Sequence, residues 1–167
     1  IYVGANVGPR EPTLEDGFAE AAALLEGRRT ILWLFVRGGG EGAEERAVAV
    51  VKRAGEIAAR HRLRVALYPH AGFHVATVDD AVRVARKVGM QNVGTSFNLC
   101  HFLATDDAAK LDERLSALAP NLFLVSISGA DVGGKRWGGL IRALDEGSFN
   151  NRDLLERLRR VRYEGPV

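Results

Sequence analysis

Three side chains that can bind a metal or carry a proton lie close together in GTSFNLCHFL, residues 94–103. Asn98, Cys100 and His101 stand there directly after a run of strand-forming residues. Imidazole exchanges protons near neutral pH, an amide orients hydroxyl groups, and thiolate or imidazole can ligate a metal. A second histidine, His70, ends the segment ALYPH. His70, His101 and Asn98 are therefore the candidate catalytic residues.

The same side chains have ordinary structural interpretations. Asn98 could hydrogen-bond the backbone at a strand end, and either histidine could pack there without chemistry. Cys100 is the only cysteine, so neither an internal disulfide nor a thiolate zinc cluster can form. It is expected to be a small buried apolar residue. The residues alone leave both interpretations of Asn98 and the histidines open.

The composition is typical of a single globular domain. The chain has 167 residues, of which 47% are apolar and 26% charged. Its net charge is +2, and its basic residues are interspersed with acidic ones, as in ERLRRVRYEG. No nucleic-acid partner is therefore expected. No apolar stretch approaches the roughly 18 residues of a membrane span, so no membrane partner is expected either. The single cysteine slightly favours the cytoplasm, and the start on IYVGANV without Met suggests that the natural N-terminus is absent.

A regular alternation of strands and helices must position the candidate residues. Five strand-like segments begin near residues 1, 31, 64, 92 and 122. The intervening helical segments are TLEDGFAEAAALLEG, AEERAVAVVKRAGEIAARH, TVDDAVRVARKVG and DDAAKLDERLSALAP, and NRDLLERLRRVRYEG follows the last strand. A strand and a helix thus recur about every 30 residues, which predicts a parallel sheet with helical crossovers.

Capping residues predict where two of these helices begin. The first is expected to start at Thr13 with Asp16 completing a capping box, and the third at Thr77 with Asp80 in that role. Residues 128–150 are predicted to form a polar loop.

Two architectures share this alternation, the (β/α)8 barrel and the open doubly wound sheet. Polar groups follow every predicted strand, at Asn6, Arg37, Tyr68, His70, Asn98, His101, Ser126 and Ser128. All strand ends of a barrel meet at one rim, whereas an open sheet brings together only those near its switch point. The first strand also lacks a G-x-G-x-x-G motif. These features favour the barrel, with all helices on one side of the sheet.

Four segments carry a resemblance to a known family: ALYPHAGFHVATVDDAVRVARKVG, NVGTSFNLCHFL, LFLVSISGAD and GSFNNRDLLERLRRVRYEGPV. Together they resemble the sugar phosphate isomerase/epimerase family of xylose isomerase-like TIM barrels. The resemblance implies that residues 1–167 form a single incomplete TIM barrel domain, about strands 3 to 7 plus the start of strand 8. Missing barrel strands, or another chain, are then expected to cover the sheet edges.

The resemblance also places the family's metal ligands on this sequence. The family binds a divalent metal through Glu, Asp, His and Glu, and the first three of these fall on Tyr68, Asn98 and Ser126. The fourth falls beyond the end of the chain. A phenol, an amide and a hydroxyl are poor ligands for such an ion. The resemblance therefore implies a branch without the usual metal, unless residues outside this chain supplement His70 and His101.

The implied function is that of a sugar isomerase or epimerase that acts on or binds a small carbohydrate. His70 and His101 would move protons, and Asn98 would orient hydroxyl groups. The candidate substrate-binding residues are Tyr68, Ser126, Arg37 and Trp137. Two alternatives remain: a degenerate barrel that binds carbohydrate without turnover, and a fragment with no autonomous function.

Overall fold

The computed structural model describes residues 1–167 and is built on one six-stranded sheet with the order β2-β1-β3-β4-β5-β6. The strands are β1 (Tyr2–Asn6), β2 (Thr13–Leu14), β3 (Ile31–Arg37), β4 (Arg64–Leu67), β5 (Val93–Asn98) and β6 (Leu122–Ser126). All neighbouring pairs are parallel except β1 with β2. The five predicted parallel strands are therefore confirmed.

Seven α-helices accompany the sheet. They are α1 (Phe18–Leu24), α2 (Ala43–Arg60), α3 (Val78–Val88), α4 (Leu99–Thr105), α5 (Leu111–Leu118), α6 (Trp137–Leu140) and α7 (Asn151–Arg160). No helix combines the length and the apolar character that crossing a bilayer requires. The longer helices contact one another in chain order, α1 with α2, α2 with α3, α3 with α5 and α5 with α7. They form a single layer, as in a barrel.

The helices cover one face of the sheet and leave the other free for a site. Alternate strand residues such as Leu32, Leu34 and Val65 are fully buried against the helices. The predicted stripe of α2 lies in the same core, through Ala47, Val51, Ala54 and Ala58. Intervening residues of β3 and the residue after β4, including Trp33 and Tyr68, point to the opposite face, where their rings meet. That face corresponds to the interior of a barrel.

The predicted start of the first helix is wrong. Thr13 and Leu14 form β2, in which Leu14 lies opposite Ala5 of β1. The helix begins only at Phe18, after Gly17 has turned the chain with a φ of 80°. Strand pairing with β1 overrides the local capping signal, because backbone bonds to β1 satisfy the groups that a cap would bind.

The predicted start of α3 is confirmed. Asp80 N donates to Thr77 Oγ1 over 3.1 Å, and Thr77 N donates to Asp80 Oδ2 over 2.9 Å. This reciprocal capping box fixes the entry of the helix that follows β4.

Two segments differ from the prediction. The expected helix over DDAAKLDERLSALAP is shorter, since α5 is flanked by 3₁₀ turns at Ala108–Lys110 and Ala119–Asn121. The segment after β5 forms the unpredicted α4. The predicted loop at 128–150 is confirmed in part, since it contains the single turn of α6 and an isolated bridge between Gly129 and Arg142.

The sheet is open, with β2 at one edge and β6 at the other. At the β6 edge, Val125 N donates to Pro166 O over 3.1 Å, so the last residues begin to pair beyond β6. The arrangement is that of a partial (β/α)8 barrel.

Candidate active site at the carboxyl ends of the strands

Three rings predicted to share a rim meet at the ends of β4 and β5. Tyr68 directly follows β4, His70 lies two residues later, and His101 lies in the first turn of α4 after β5. The ring centroids of His70 and His101 are 4.0 Å apart. The Tyr68 ring stands edge-on to both, at 5.4 Å from His70 and 5.2 Å from His101. The parallel pairing of β4 with β5 creates this convergence.

One residue, Ala71, bonds to both histidines. His70 Nδ1 lies 3.0 Å from the Ala71 carbonyl oxygen, and His101 Nδ1 lies 3.2 Å from the Ala71 amide nitrogen. A carbonyl only accepts, so His70 Nδ1 carries a proton; an amide N–H only donates, so His101 Nδ1 carries none. The neutral rings are therefore opposite tautomers. His70 Nε2 is left as a proton acceptor and His101 Nε2 as a proton donor.

Burial keeps His101 uncharged at neutral pH. The side chain of His101 is 5% exposed, and its pKa is lowered to about 4, first by burial and then by the neighbouring His70. Burial likewise raises the pKa of the Tyr68 phenol above its ordinary value, so the phenol keeps its proton at neutral pH. His101 and Tyr68 therefore offer neutral hydrogen-bonding groups rather than charge.

The bonds to Ala71 use one nitrogen of each ring. They engage Nδ1 of His70 and Nδ1 of His101, so the two Nε2 atoms are left to interact with a ligand.

Asn98 has a structural role at the start of α4. Its Oδ1 accepts from His101 N over 3.2 Å and from Cys100 Sγ over 2.9 Å, which makes Asn98 the N-cap of the helix. The cap holds the turn that carries His101, and only the Asn98 amide NH2 is left for a ligand. Cys100 is buried as expected, and burial raises the pKa of its thiol.

An aromatic wall, formed by Tyr2, Trp33, Phe35 and Phe73, continues the site across the inner face. Trp33 lies 4.0 Å from Tyr68, and Phe73 stacks on His70 at 3.9 Å with 13° between the ring planes. The sequence interpretation missed this wall because TILWLFV is apolar on both faces. The alternation of aromatic with aliphatic residues in that segment was the available signal.

Buried Ser96 anchors the aromatic wall. Trp33 Nε1 donates to Ser96 Oγ over 2.7 Å, and Ser96 Oγ donates to the Leu67 carbonyl over 2.9 Å. The indole is therefore fixed to β4 and β5 by hydrogen bonds as well as by packing.

The remaining predicted binding residues lie at different distances from the histidines. The Trp137 ring stands edge-on to His101 at 5.2 Å and is 48% exposed, so it borders the site. Ser126 lies in register with Asn98 on the next strand. Arg37 lies 5.8 Å from the Phe35 ring centroid and 3.9 Å from Glu15, on the far side of the aromatic wall. The structure thus groups Trp137 with the histidines and places Arg37 apart from them.

The chain is similar in sequence and in fold to known proteins. Residues 18–167 match the sequence profile of the family described as xylose isomerase-like TIM barrel. The chain belongs to this family. The comparison with curated proteins gives no match.

Several solved structures of this barrel type superpose on the chain. The IOLI protein with a binding zinc atom aligns with a TM-score of 0.70 and 17% identity, over 90% of this chain and 57% of that one. A D-tagatose 3-epimerase-like protein gives 0.69 and 18%, over 89% and 57%. An L-ribulose 3-epimerase gives 0.70 and 14%, over 89% and 50%. At these identities the likeness shows the fold, and the chain spans little more than half the length of these relatives.

The donor atoms at the strand ends of this family member are a poor match for a divalent metal. No group of three or more His, Cys, Asp or Glu side chains is arranged to hold an ion. The groups at the corresponding strand ends are the phenol of Tyr68, the amide of Asn98 and the hydroxyl of Ser126, and the Asn98 oxygen already caps α4. Zinc and the other divalent first-row transition metals prefer imidazole, thiolate or carboxylate ligands. The side chains of this chain therefore do not by themselves form the clustered donor set that such an ion prefers.

Proposed function

We propose that the protein acts on a small carbohydrate by moving a proton between carbon atoms, as sugar isomerases and epimerases do, without a divalent metal. The observation that carries the proposal is the Ala71 bridge, which leaves His70 Nε2 as an acceptor and His101 Nε2 as a donor. The family, and the epimerase names of two relatives, support the substrate class.

The two histidines have different roles in this mechanism. His70 Nε2 takes the proton from the carbon next to a sugar carbonyl, and the C–H electron pair becomes the C=C bond of an enediolate. His101 Nε2–H donates a hydrogen bond to the oxygen on which negative charge develops. Since the pKa of His101 is about 4, the ring performs this role as neutral imidazole.

The proton then returns to carbon. Protonated His70 delivers it to the former carbonyl carbon of the enediolate, while the hydroxyl proton passes from the neighbouring oxygen to the former carbonyl oxygen, which completes an isomerisation. Inversion at a single carbon needs a donor on the other side of the sugar, and the Tyr68 phenol, which keeps its proton, is the candidate group. The Tyr68 phenolate left by this transfer regains a proton from solvent, and His70 loses its proton to solvent, which restores both residues.

The aromatic wall supplies the binding surface for the sugar. Sugar rings present apolar C–H faces that pack on aromatic rings, while their hydroxyls seek neutral hydrogen-bond partners. Trp137, at 48% exposure beside His101, is positioned for the first contact. The hydroxyls of Tyr68 and Ser126 and the amide NH2 of Asn98 are suited to the second.

Activity without a divalent metal is part of the proposal. A divalent ion enters only if residues outside this chain supplement His70 and His101. The activity of the whole protein is proposed in the same sense, because the chain spans little more than half the length of the relatives above. Further barrel strands or another chain are proposed to cover the open edges at β2 and β6.

A second function, carbohydrate binding without turnover, is favoured by the exposure of the rings. Tyr2 is 50% and Trp137 48% exposed, as expected of a stacking surface. This function requires the aromatic wall but not the tautomers of the histidines, so variants separate the two proposals.

The test is exchange of sugar C–H protons with deuterated solvent, measured by proton NMR on a panel of aldoses and ketoses in the presence of a chelator. The wild-type protein is expected to exchange the proton next to the carbonyl, and His70→Gln and His101→Gln are expected to abolish exchange while keeping sugar binding. His61→Gln is the control, since His61 is bonded to Glu26 on the surface at 3.3 Å. Binding without exchange in the wild-type protein would establish the second function instead.

A further inference from the structure

Arginines line a cavity at the end of the sheet opposite the candidate active site. The cavity has a volume of about 540 Å³ and is lined by Gly27, Arg28, Arg29, Thr30, Arg62 and Arg64. None of these residues is hydrophobic or acidic. The arginines contribute apolar surface only through their methylene stems. Ile31 lies in register with Arg64, so the pairing of β3 with β4 brings the two arginine pairs together.

The four arginines have no carboxylate partner. The ion pairs of the protein use other cations, such as Arg83, Arg114 and Arg157. Glu26, the acidic residue just before Arg28, is bonded to His61 instead. Four uncompensated positive charges around one cavity repel each other and favour the entry of an anion.

One of these arginines has a positioned guanidinium, and another has an unusual backbone conformation. The guanidinium of Arg64 lies 4.8 Å from the Phe123 ring centroid, which holds the group in place without neutralising it. Arg62 follows the C-cap of α2 with a φ of 58°, a position and conformation that usually belong to glycine. The chain therefore carries a charged side chain where the backbone favours none.

We propose that this cavity binds a small molecule carrying two phosphate groups. A guanidinium forms paired hydrogen bonds with phosphate oxygens, so four guanidinium groups around one cavity offer enough donors and charge for more than one phosphate group. A neighbouring cavity of about 510 Å³ shares Arg62 and Arg64 and adds the amide of Gln91, which leaves room for the rest of the ligand.

The site is independent of the proposed active site. Arg64 begins β4 and Leu67 ends it, so the arginines and Tyr68 lie at opposite ends of the strand, about 10 Å or more apart. Binding of a phosphorylated ligand here is expected whether or not the histidines catalyse proton transfer.

The test is isothermal titration calorimetry with inorganic diphosphate and inorganic monophosphate at about 0.15 M salt. Diphosphate is expected to bind at least tenfold more tightly than monophosphate. Arg62→Gln/Arg64→Gln should weaken diphosphate binding at least tenfold. Arg10→Gln/Lys52→Gln is the control, since it removes the same charge from exposed positions outside both cavities and should change binding less than twofold.

Three outcomes would overturn the proposal. One is no diphosphate binding to the wild-type protein, and another is equal weakening in the control variant, which would indicate a general effect of charge. The third is tighter, strongly salt-dependent binding of a short DNA duplex with no competition from diphosphate, which would assign the arginines to nucleic acid. Thermal unfolding of each variant verifies that it is folded.

Discussion

The rings of His70 and His101 lie with their centroids 4.0 Å apart and their planes tilted by 38°, and the two residues are hydrogen-bonded to opposite backbone groups of Ala71. Two histidines of the same protonation pattern could not both make these bonds, because a carbonyl requires a donor and an amide N–H requires an acceptor. The backbone of Ala71 thus gives the two histidines different roles, His70 Nε2 as a base and His101 Nε2 as a hydrogen-bond donor. In the proposed mechanism, this division replaces the metal as the source of electrophilic assistance.

The first prediction concerns the tautomers. At neutral pH, His70 is expected to carry its proton on Nδ1 and His101 on Nε2, because of their bonds to Ala71. Long-range nitrogen–proton NMR correlations distinguish the two forms in each ring. Identical tautomers, or a charged His101 ring at neutral pH, would contradict the assignment.

The second prediction concerns stability at mildly acidic pH. The pKa of His101 is about 4 in the folded protein, below the ordinary value of about 6.5 expected after unfolding. The unfolded chain therefore binds a proton that the folded protein resists, so stability falls as pH drops through 6.5 and stops falling below about 4. Between pH 7 and pH 5 the loss should be about 1 kcal/mol, allowing for solvent screening.

Urea unfolding at a series of pH values measures this loss. The bond from Arg83 lowers the pKa of the Glu44 carboxyl from its ordinary 4.5 to about 2, so the stability that Glu44 contributes is lost mainly below pH 4.5 and changes little between pH 7 and pH 5. In His101→Gln the slope between pH 7 and pH 5 should be smaller than in the wild-type protein. An unchanged slope would show that another group titrates.

The third prediction concerns Asn98 as a helix cap. Asn98→Ala should lower the free energy of unfolding by about 1 kcal/mol, because the His101 N–H loses its acceptor. Asn98→Asp keeps an acceptor at this position and should cost less. Chemical denaturation of both variants measures the difference, and equal costs would mean that the cap contributes little.

Asn98→Asp also tests the donor set. The substitution restores one carboxylate, but Tyr68 and Ser126 remain non-ligands, so it should not by itself create zinc or manganese binding. Calorimetry with either ion measures this directly. Tight binding to Asn98→Asp would show that the other two positions matter less than their chemistry indicates.

The fourth prediction concerns the anchor of the aromatic wall. Trp33→Phe removes the donor to Ser96 Oγ and should lower the free energy of unfolding by about 1 kcal/mol beyond the effect of smaller packing area. Ser96→Ala in the Trp33→Phe background should then cost less than in the wild-type protein. A double-mutant cycle without coupling would contradict the importance of this bond.

Much of the fold was predictable because strands buried on both faces and helices with clear caps are local signals. The strand starts and the Thr77–Asp80 box belong to this class. The helix start predicted at Thr13 was wrong because its capping pattern competes with the pairing of β2 with β1, which depends on residues that are distant in the sequence. Helix α4, seven residues long, has too few turns to show a helical period.

The site was predictable only in its side chains. Tyr68, His70 and His101 follow strands and were expected to converge. The Ala71 bridge was not, since any residue except proline offers the same backbone N–H and carbonyl. The different tautomers of the two histidines therefore could not be predicted from the sequence, because they depend on the folded conformation of the loop after β4.

The metal dependence of proton exchange tests the central claim most directly. The rate at which a sugar substrate exchanges its C–H proton with deuterated solvent should be the same before and after treatment with a chelator. It should not rise when zinc or manganese is added back, because Tyr68, Asn98 and Ser126 supply no suitable ligands. Loss of exchange on chelation, its recovery with a divalent ion, and micromolar or tighter binding of that ion by calorimetry would contradict the account.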